Sequence, residues 1–157
     1  MVVPIRLRTV QGLPVWELCD YTHKALPGVC GNKARKLASL ATASTLPSPL
    51  VSHGGPQSNA MLALAVLAAA REVDFEYHTK PLPDWLRKTP VGSLGRALRL
   101  GMHLVEHRSA ADYQAAVAAA QSSRAGYVPQ GVAWAGAESG IAELALEIGS
   151  WRAAHPD

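Results

Sequence analysis

Apolar residues recur at helical spacing after Asn32. Ala34, Leu37, Ala38 and Ala41 stand at positions i, i+3, i+4 and i+7, which places them on one face of a helix. Asn is a preferred N-cap residue because its side chain accepts a hydrogen bond from the first helical turn. The pattern therefore predicts a helix that begins near Asn32, with Asn32 as its N-cap.

Short apolar runs alternate with helical segments along the rest of the chain. In chain order, the pattern predicts a buried strand in PLVSHGG, a helix from Pro56 to about Arg71, a half-exposed strand over Asp74–His78, a proline-rich connection over Lys80–Pro90, a helix around Ser93–Leu100, a strand over Met102–His107, a helix over Ala110–Ser123, a short strand at Tyr127–Pro129 and a helix over about Ala137–Trp151. Strands that alternate with helices are typical of right-handed βαβ units. We therefore expect an α/β fold with a parallel sheet and helices on both faces.

The composition fits a globular protein. The chain has 157 residues, of which 48% are hydrophobic and 17% charged, and its formal net charge is +3. No long run of like charge is present, which argues against a nucleic-acid surface. The longest apolar run, Ala60 to Ala70, is shorter than the ~20 residues that a membrane span requires. We expect no nucleic-acid partner and no membrane insertion.

The two cysteines and the N-terminus bear on location. Cys19 and Cys30 are too few for a disulfide framework and lie in no CxxC motif. Pro4 and Arg6 interrupt the apolar N-terminal stretch, which is unlike the long hydrophobic region of a secretory signal. A reduced cytoplasmic location is therefore the expectation.

Lys33 is the first candidate for chemistry. It stands in GNKARKL, at the predicted start of a helix and close to Arg35 and Lys36. The positive end of the helix dipole and like charges both favour the neutral amine. Only a neutral amine attacks an aldehyde to form a Schiff base, so Lys33 is suited to a carbonyl cofactor, although a solvated helix face has the same pattern.

The second candidate segment is HGGPQSN, which follows a predicted strand. Its glycines allow close approach of the backbone, and the N–H groups at the start of the next helix are suited to a carboxylate or another anion. Gln57, Ser58 and Asn59 are the polar side chains of this segment. An ordinary strand-to-helix turn, in which these side chains satisfy backbone donors, is the alternative.

Together, the two segments give a resemblance. The chain resembles the 1-aminocyclopropane-1-carboxylate (ACC) deaminase and D-cysteine desulfhydrase family, in the tryptophan-synthase β-like class of pyridoxal-phosphate (PLP) enzymes. That family carries a GNK-x-RKL segment followed, one βα step later, by GG-x-QSN, and both are matched here. Softer similarity continues through Tyr77 to Trp85, Gly101 to Glu106, Val128 to Gly131 and Gly140 to Leu144.

The resemblance implies roles for individual residues. Lys33 would bond covalently to PLP, Asn59 would contact the phenolic oxygen of PLP, and Gln57, Ser58 and Asn59 would bind the substrate. In ACC deaminases the serine that matches Ser58 is also assigned as a nucleophile or proton carrier. The implied reaction converts a small amino acid, either ACC to 2-oxobutyrate and ammonia or D-cysteine to pyruvate, sulfide and ammonia, and the two substrates remain open.

The resemblance also implies a division of the chain. Residues 1–35 would belong to the large cofactor domain, residues 36–130 to a small α/β domain, and residues 131–157 to the return toward the large domain. Family members continue with a glycine-rich phosphate cup that we do not find in this sequence, so we expect an N-terminal half of a two-domain PLP enzyme with an incomplete site. The family tends to form homodimers, and the oligomeric state stays open.

Some positions depart from the family pattern. Cys30 stands where a second glycine usually precedes GNK, Leu18 and Cys19 replace the usual basic position before Asp20, and Gly92-Ser93 replaces Gly-Asn. These differences leave substrate identity open more than cofactor identity.

Motifs of other functional classes are incomplete in this sequence. His103 and His107 are four residues apart but form no HExxH zinc motif, and no GxGxxG nucleotide fingerprint is present. His53 with Ser58 suggests a hydrolase dyad, yet the segment is not a G-x-S-x-G elbow. The main alternative is a non-catalytic relative that acts as a binding or interaction module.

Overall fold

The computed structural model describes residues 5–18, 22–123 and 125–155. Its strands are β1 (Ile5–Val10), β2 (Leu13–Leu18), β3 (Leu50–His53), β4 (Phe75–Thr79) and β5 (His103–Glu106). Its helices are α1 (Gly31–Thr42), α2 (Asn59–Ala70), α3 (Asp84–Lys88), α4 (Gly92–Arg99), α5 (Ala110–Ser123) and α6 (Glu138–Ala154), with 3-10 turns at Gln130–Val132 and Ala135–Ala137.

A parallel sheet organises the middle of the chain. Its order is β3-β4-β5, and both pairs of strands run parallel. Tyr127 extends it on the outer edge of β3, where the Val51 amide donates to the Gly126 carbonyl and the Val128 amide donates to the Val51 carbonyl, both at 2.8 Å. The α/β expectation, with a parallel sheet flanked by helices, is confirmed.

The two faces of the sheet differ in polarity. Leu50, Phe75 and Tyr77 are buried on the face that α2 covers. His53 and His78 pair in register on the opposite face, where α5 lies. Helix α2 buries apolar residues on most of its circumference, which explains its alanine-rich and nearly charge-free sequence.

An N-terminal hairpin was not predicted. Strands β1 and β2 pair antiparallel around a two-residue turn in which Gln11 has φ 50° and Gly12 has φ 81°. Positive φ at both turn residues defines the type I′ turn that matches the twist of a hairpin. The signal was available, because IRLRTV and LPVWEL alternate in side-chain character around Gln-Gly.

Several predicted boundaries need correction. The N-cap of α1 is Cys30, not Asn32, because the helix begins at Gly31 and already includes Asn32. Strand β4 is almost entirely buried, not half-exposed, since helices cover both faces of this central strand. The Lys80–Pro90 connection contains the short helix α3. By contrast, the bounds predicted for α5 are confirmed.

Helix α6 packs on α1 through a different face from the one that its apolar residues suggest. Gly140 is buried and Glu147 is mostly buried, whereas Ile141 and Ile148 are 37% and 38% exposed. An added Cβ at Gly140 would collide with the carbonyl oxygen of Arg35. The contact between α1 and α6 therefore depends on the absence of a side chain at Gly140 and on an ion pair between Arg35 and Glu147.

Across the described residues, none of the helices combines the length and the apolar character needed to cross a bilayer. The division of the chain near residues 35 and 130 stays a prediction.

Candidate functional site

Lys33 and Asn59 lie on the same cleft. The cleft is formed where the start of α1 faces α2 and α4, and its volume is about 320 Å³. This volume is at the lower end of the range for small-molecule sites, ~300–1,000 Å³. Its lining residues are Gly28, Val29, Cys30, Asn32, Lys33, Asn59, Leu62, Ala63 and Arg96.

The Lys33 amine is in the first turn of α1 and is half-buried. Its Nζ donates to Oδ1 of Asn32 at 3.4 Å. Partial burial, followed by the positive charge of Lys36, lowers the pKa of Lys33 below the ordinary value of 10.5. The neutral amine is therefore more available at Lys33 than at a fully exposed lysine with no cation beside it.

Arg35 and Lys36 point away from this cleft. The Arg35 guanidinium is buried and forms an ion pair with Glu147 on α6 at 2.7 Å. Lys36 donates to the carbonyl of Gly131 at 3.4 Å. Of the two like charges that the sequence places beside Lys33, only Lys36 contributes to the lowered pKa of Lys33.

The loop after β3 has a shape that only glycine allows. Gly54 has φ 142°, and a Cβ there would lie 2.6 Å from the hydroxyl of Tyr77. That hydroxyl donates to the Gly55 carbonyl at 3.1 Å, and burial raises the pKa of Tyr77 to about 12. Tyr77 therefore stays protonated and fixes the path of the chain into α2.

The structure separates the polar residues of HGGPQSN. Ser58 is the N-cap of α2, and its Oγ accepts from the Met61 amide at 3.2 Å. Gln57 connects the loop to α4, since its Nε2 donates to the Val91 carbonyl at 3.1 Å and its Oε1 accepts from the Ser93 amide at 3.0 Å. Neither residue lines the cleft that contains Lys33.

Asn59 is the residue of this segment that reaches the cleft. It is the first residue of α2, it is exposed, and its Oδ1 accepts from the Ser93 hydroxyl at 3.4 Å. Ser93 therefore contacts both Gln57 and Asn59. Ser93, in the first turn of α4, therefore holds the polar segment against this helix.

Arg96 lines the cleft and was not singled out from the sequence. It lies on α4, which packs on α2, and its side chain faces the space beside Lys33 and Asn59. The sequence carries a weak signal for this position, because Arg96 and Arg99 are the basic residues of the last turn of α4. Only the packing of α4 distinguishes one from the other.

A larger cavity of about 810 Å³ lies between the hairpin and α6, where the Trp16 and Trp151 rings are 4.6 Å apart. Its lining is mostly apolar, and the described residues that line it include neither a lysine nor an acidic residue. The smaller cleft is the better candidate for a reactive site because an amine, two amides and a guanidinium line it.

Three histidines, His53, His78 and His107, form a separate group on the α5 face of the sheet. His53 Nδ1 lies 2.8 Å from the Tyr113 hydroxyl, and His78 Nδ1 lies 2.8 Å from His107 Nε2. His53 is thus engaged on the face opposite Tyr77, and no hydrogen bond joins it to Ser58 in the described parts of the chain. Within those same parts, no group of three or more His, Cys, Asp or Glu residues could hold a metal ion.

The chain matches no protein-family model and no curated protein.

The pH profile of Lys33 reactivity follows from its environment. We expect half-maximal labelling of Lys33 by an amine acylating reagent at a pH below 10.5, because its pKa is lowered. Lys36→Gln should move this midpoint upward, since the removed charge disfavours protonation of Lys33. Competitive labelling followed by peptide mass spectrometry measures both midpoints, and an unchanged midpoint in the Lys36 variant would contradict the assignment.

Proposed function

We propose that this chain carries the lysine-anchoring part of a PLP-dependent enzyme site that acts on small amino acids, of the ACC deaminase or D-cysteine desulfhydrase type. The observation that carries the proposal is the shared cleft. Two segments separated by a helix and a strand in sequence place an amine with a lowered pKa and an asparagine amide around one space.

The lining of the cleft fits the reactive side of PLP. An aldehyde requires a neutral amine, and Lys33 is the lysine on the cleft. A phenolic oxygen requires a donor, which the Asn59 amide can supply. No carboxylate is present among the described residues that line the cleft, so no negative charge there repels an anionic cofactor.

Each residue would have a distinct role. When bound, PLP supplies an electron-withdrawing ring that accepts the electrons released at the substrate α-carbon. The Lys33 Nζ holds the ligand in place, and once released it can accept a proton from the α-carbon. Asn59 orients the ligand, while Gln57 and Ser58 fix the helix starts through the backbone contacts described above.

Ser58 has a more limited role in this proposal than the resemblance implies. Its Oγ already accepts from the Met61 amide. A hydroxyl retains further capacity for hydrogen bonds, but Ser58 does not line the cleft. The choice between ACC and D-cysteine stays open.

Reductive trapping tests the proposal. The purified 157-residue chain is incubated with PLP, reduced with borohydride and digested, and the modified lysine is identified by mass spectrometry. We expect the label on Lys33 and its loss in Lys33→Ala. Lys88→Ala is the matched control, because Lys88 is exposed at the end of α3 and lies outside the cleft. Label spread over several lysines, and unchanged by Lys33→Ala, would refute the proposal.

A second candidate function is a non-catalytic interaction module. It is favoured by large apolar side chains that are exposed side by side on the hairpin, since the paired residues Val10 and Leu13 are 53% and 68% exposed. Apolar side chains exposed together are typical of protein–protein contact. Absence of PLP label on Lys33, together with concentration-dependent self-association in sedimentation, would support this function over the first.

A further inference from the structure

Basic and amide groups surround the cleft on several sides. Lys33 and Asn32 come from α1, Asn59 comes from α2, and Arg96 comes from α4. Hydrogen-bond donors from three helices converge on a space of about 320 Å³. Such a lining favours a ligand with a carboxylate or phosphate group.

Four other arginines bind carboxylates or backbone carbonyls of the protein itself. Arg35 pairs with Glu147, Arg87 pairs with Glu106 and Asp84, Arg8 pairs with Glu17, and Arg71 donates to the carbonyls of Leu40, Ala41, Ala43 and Ser44. Across the described residues, no carboxylate forms an ion pair with Arg96. Arg96 lines the cleft instead.

Two of the three residues that the resemblance assigns to the substrate, Gln57 and Ser58, are engaged elsewhere. Both polar atoms of the Gln57 amide contact the start of α4, and Ser58 caps α2. A substrate or cofactor in the cleft therefore needs another group to bind its anion. Arg96 has the geometry for this role because a guanidinium donates two parallel hydrogen bonds to a carboxylate or phosphate.

We propose that Arg96 binds the anionic group of the ligand that reacts with Lys33, and that this contact selects ligands bearing a carboxylate or phosphate. The inference rests on the proposed function for the identity of the ligand. The anion-binding role itself depends only on the shared cleft of Arg96 and Lys33.

A pair of small aldehydes tests this role without PLP. Glyoxylate carries a carboxylate beside its aldehyde, and glycolaldehyde carries a neutral hydroxyl there. In both, the Lys33 amine attacks the aldehyde carbon, water leaves, and cyanoborohydride donates hydride to the imine carbon, which leaves a stable secondary amine. The ratio of glyoxylate to glycolaldehyde label on Lys33 measures the preference for an anion.

We expect Arg96→Gln to lower this ratio by roughly threefold to tenfold, a modest factor because solvent screens an exposed arginine. Arg99→Gln is the matched control. Arg99 is exposed on the same helix but does not line the cleft, so the ratio should stay at the wild-type value. A change in the pKa of Lys33 would affect both aldehydes alike and cancels in the ratio.

A parallel measurement identifies the source of the anion. If Arg96 binds the cofactor phosphate, Arg96→Gln weakens trapping of PLP while trapping of pyridoxal, which has no phosphate, is unchanged. If Arg96 binds a substrate carboxylate, Arg96→Gln lowers the ratio of glyoxylate to glycolaldehyde label but leaves the ratio of PLP to pyridoxal trapping unchanged. An unchanged glyoxylate ratio and an unchanged PLP-to-pyridoxal ratio in Arg96→Gln would overturn the inference.

The two proposals fail separately. PLP label on Lys33 with no effect of Arg96→Gln on either ratio would leave the proposed function standing and remove the role of Arg96. Loss of the glyoxylate preference in Arg96→Gln, with no PLP label on Lys33, would keep the anion site and remove the cofactor.

Discussion

Gly140→Ala should destabilise the protein by about 2–3 kcal/mol, because the new methyl group overpacks a helix contact. Gly140 is buried where α6 crosses α1. Its Cβ would collide with the carbonyl oxygen of Arg35 and would lie 2.8 Å from the carbonyl carbon of that residue. These are backbone atoms of a helix, so relief requires α6 to move away from α1. Urea unfolding monitored by circular dichroism measures the change as a lower midpoint.

Gly149→Ala is the matched control on the same helix. An added Cβ at Gly149 meets no atom within 4 Å, and alanine has a higher helix propensity than glycine. We expect stabilisation of about 0.5–1 kcal/mol. Opposite signs at the two positions would establish the close approach of α1 and α6, whereas stabilisation by both substitutions would contradict it.

Glu147→Ala should cost about 3 kcal/mol in the free energy of unfolding, because it removes one partner of a largely buried ion pair. The Arg35 side chain is 2% exposed and that of Glu147 is 17% exposed, and Nη2 and Oε2 are 2.7 Å apart. The substitution leaves a cation in a site that water reaches poorly. Alanine keeps the helix propensity high, so the loss reports the ion pair rather than the helix.

Glu143→Ala provides the comparison. Glu143 is exposed one turn earlier on α6, and we expect a change within about 0.5 kcal/mol. The double substitution Arg35→Met with Glu147→Met should recover part of the stability lost in Glu147→Ala, since apolar side chains replace both charges. Equal effects of Glu147→Ala and Glu143→Ala would show that the pair does not stabilise the helix contact.

The contact between α1 and α6 also bears on the candidate site. Each residue turns an α-helix by ~100°, so Lys33 and Arg35 point to nearly opposite sides of α1. The buried pair with Glu147 holds Arg35 toward α6, and this fixes the rotation that presents Lys33 to the cleft. Variants at Gly140 or Glu147 that remain folded therefore provide a way to change the orientation of Lys33 without substituting any residue that lines the cleft.

The alternation of apolar runs and helical segments was sufficient to predict the parallel sheet. Local periodicity reflects which face of a segment is covered. The predicted bounds of α5 are those of the structure, although none of its residues is buried. Boundaries at Cys30 and within Lys80–Pro90 were harder to predict. A helix start depends on backbone geometry, and a single turn such as α3 is too short to show a period.

The candidate site also contains residues that the sequence predicted and residues that only the structure revealed. GNK and GG-x-QSN were singled out because glycines and polar residues precede predicted helices, and two of their members, Lys33 and Asn59, share a cleft. The engagement of Gln57 with α4 could not be predicted, because its partners Val91 and Ser93 are distant in sequence. The same is true of Arg96, whose helix reaches the cleft only by packing on α2.

The sequence by itself determined the class of fold, the alternation of strands and helices along the chain in the sheet region, and the two segments that supply Lys33 and Asn59. These features follow from local spacing, which acts over a few residues. Only the tertiary structure decided that Arg35 is buried against Glu147, that Gln57 and Ser58 hold helix starts, and that Arg96 lines the cleft. Each of these depends on how helices pack against one another, and packing brings together residues whose separation along the chain carries no periodic signal.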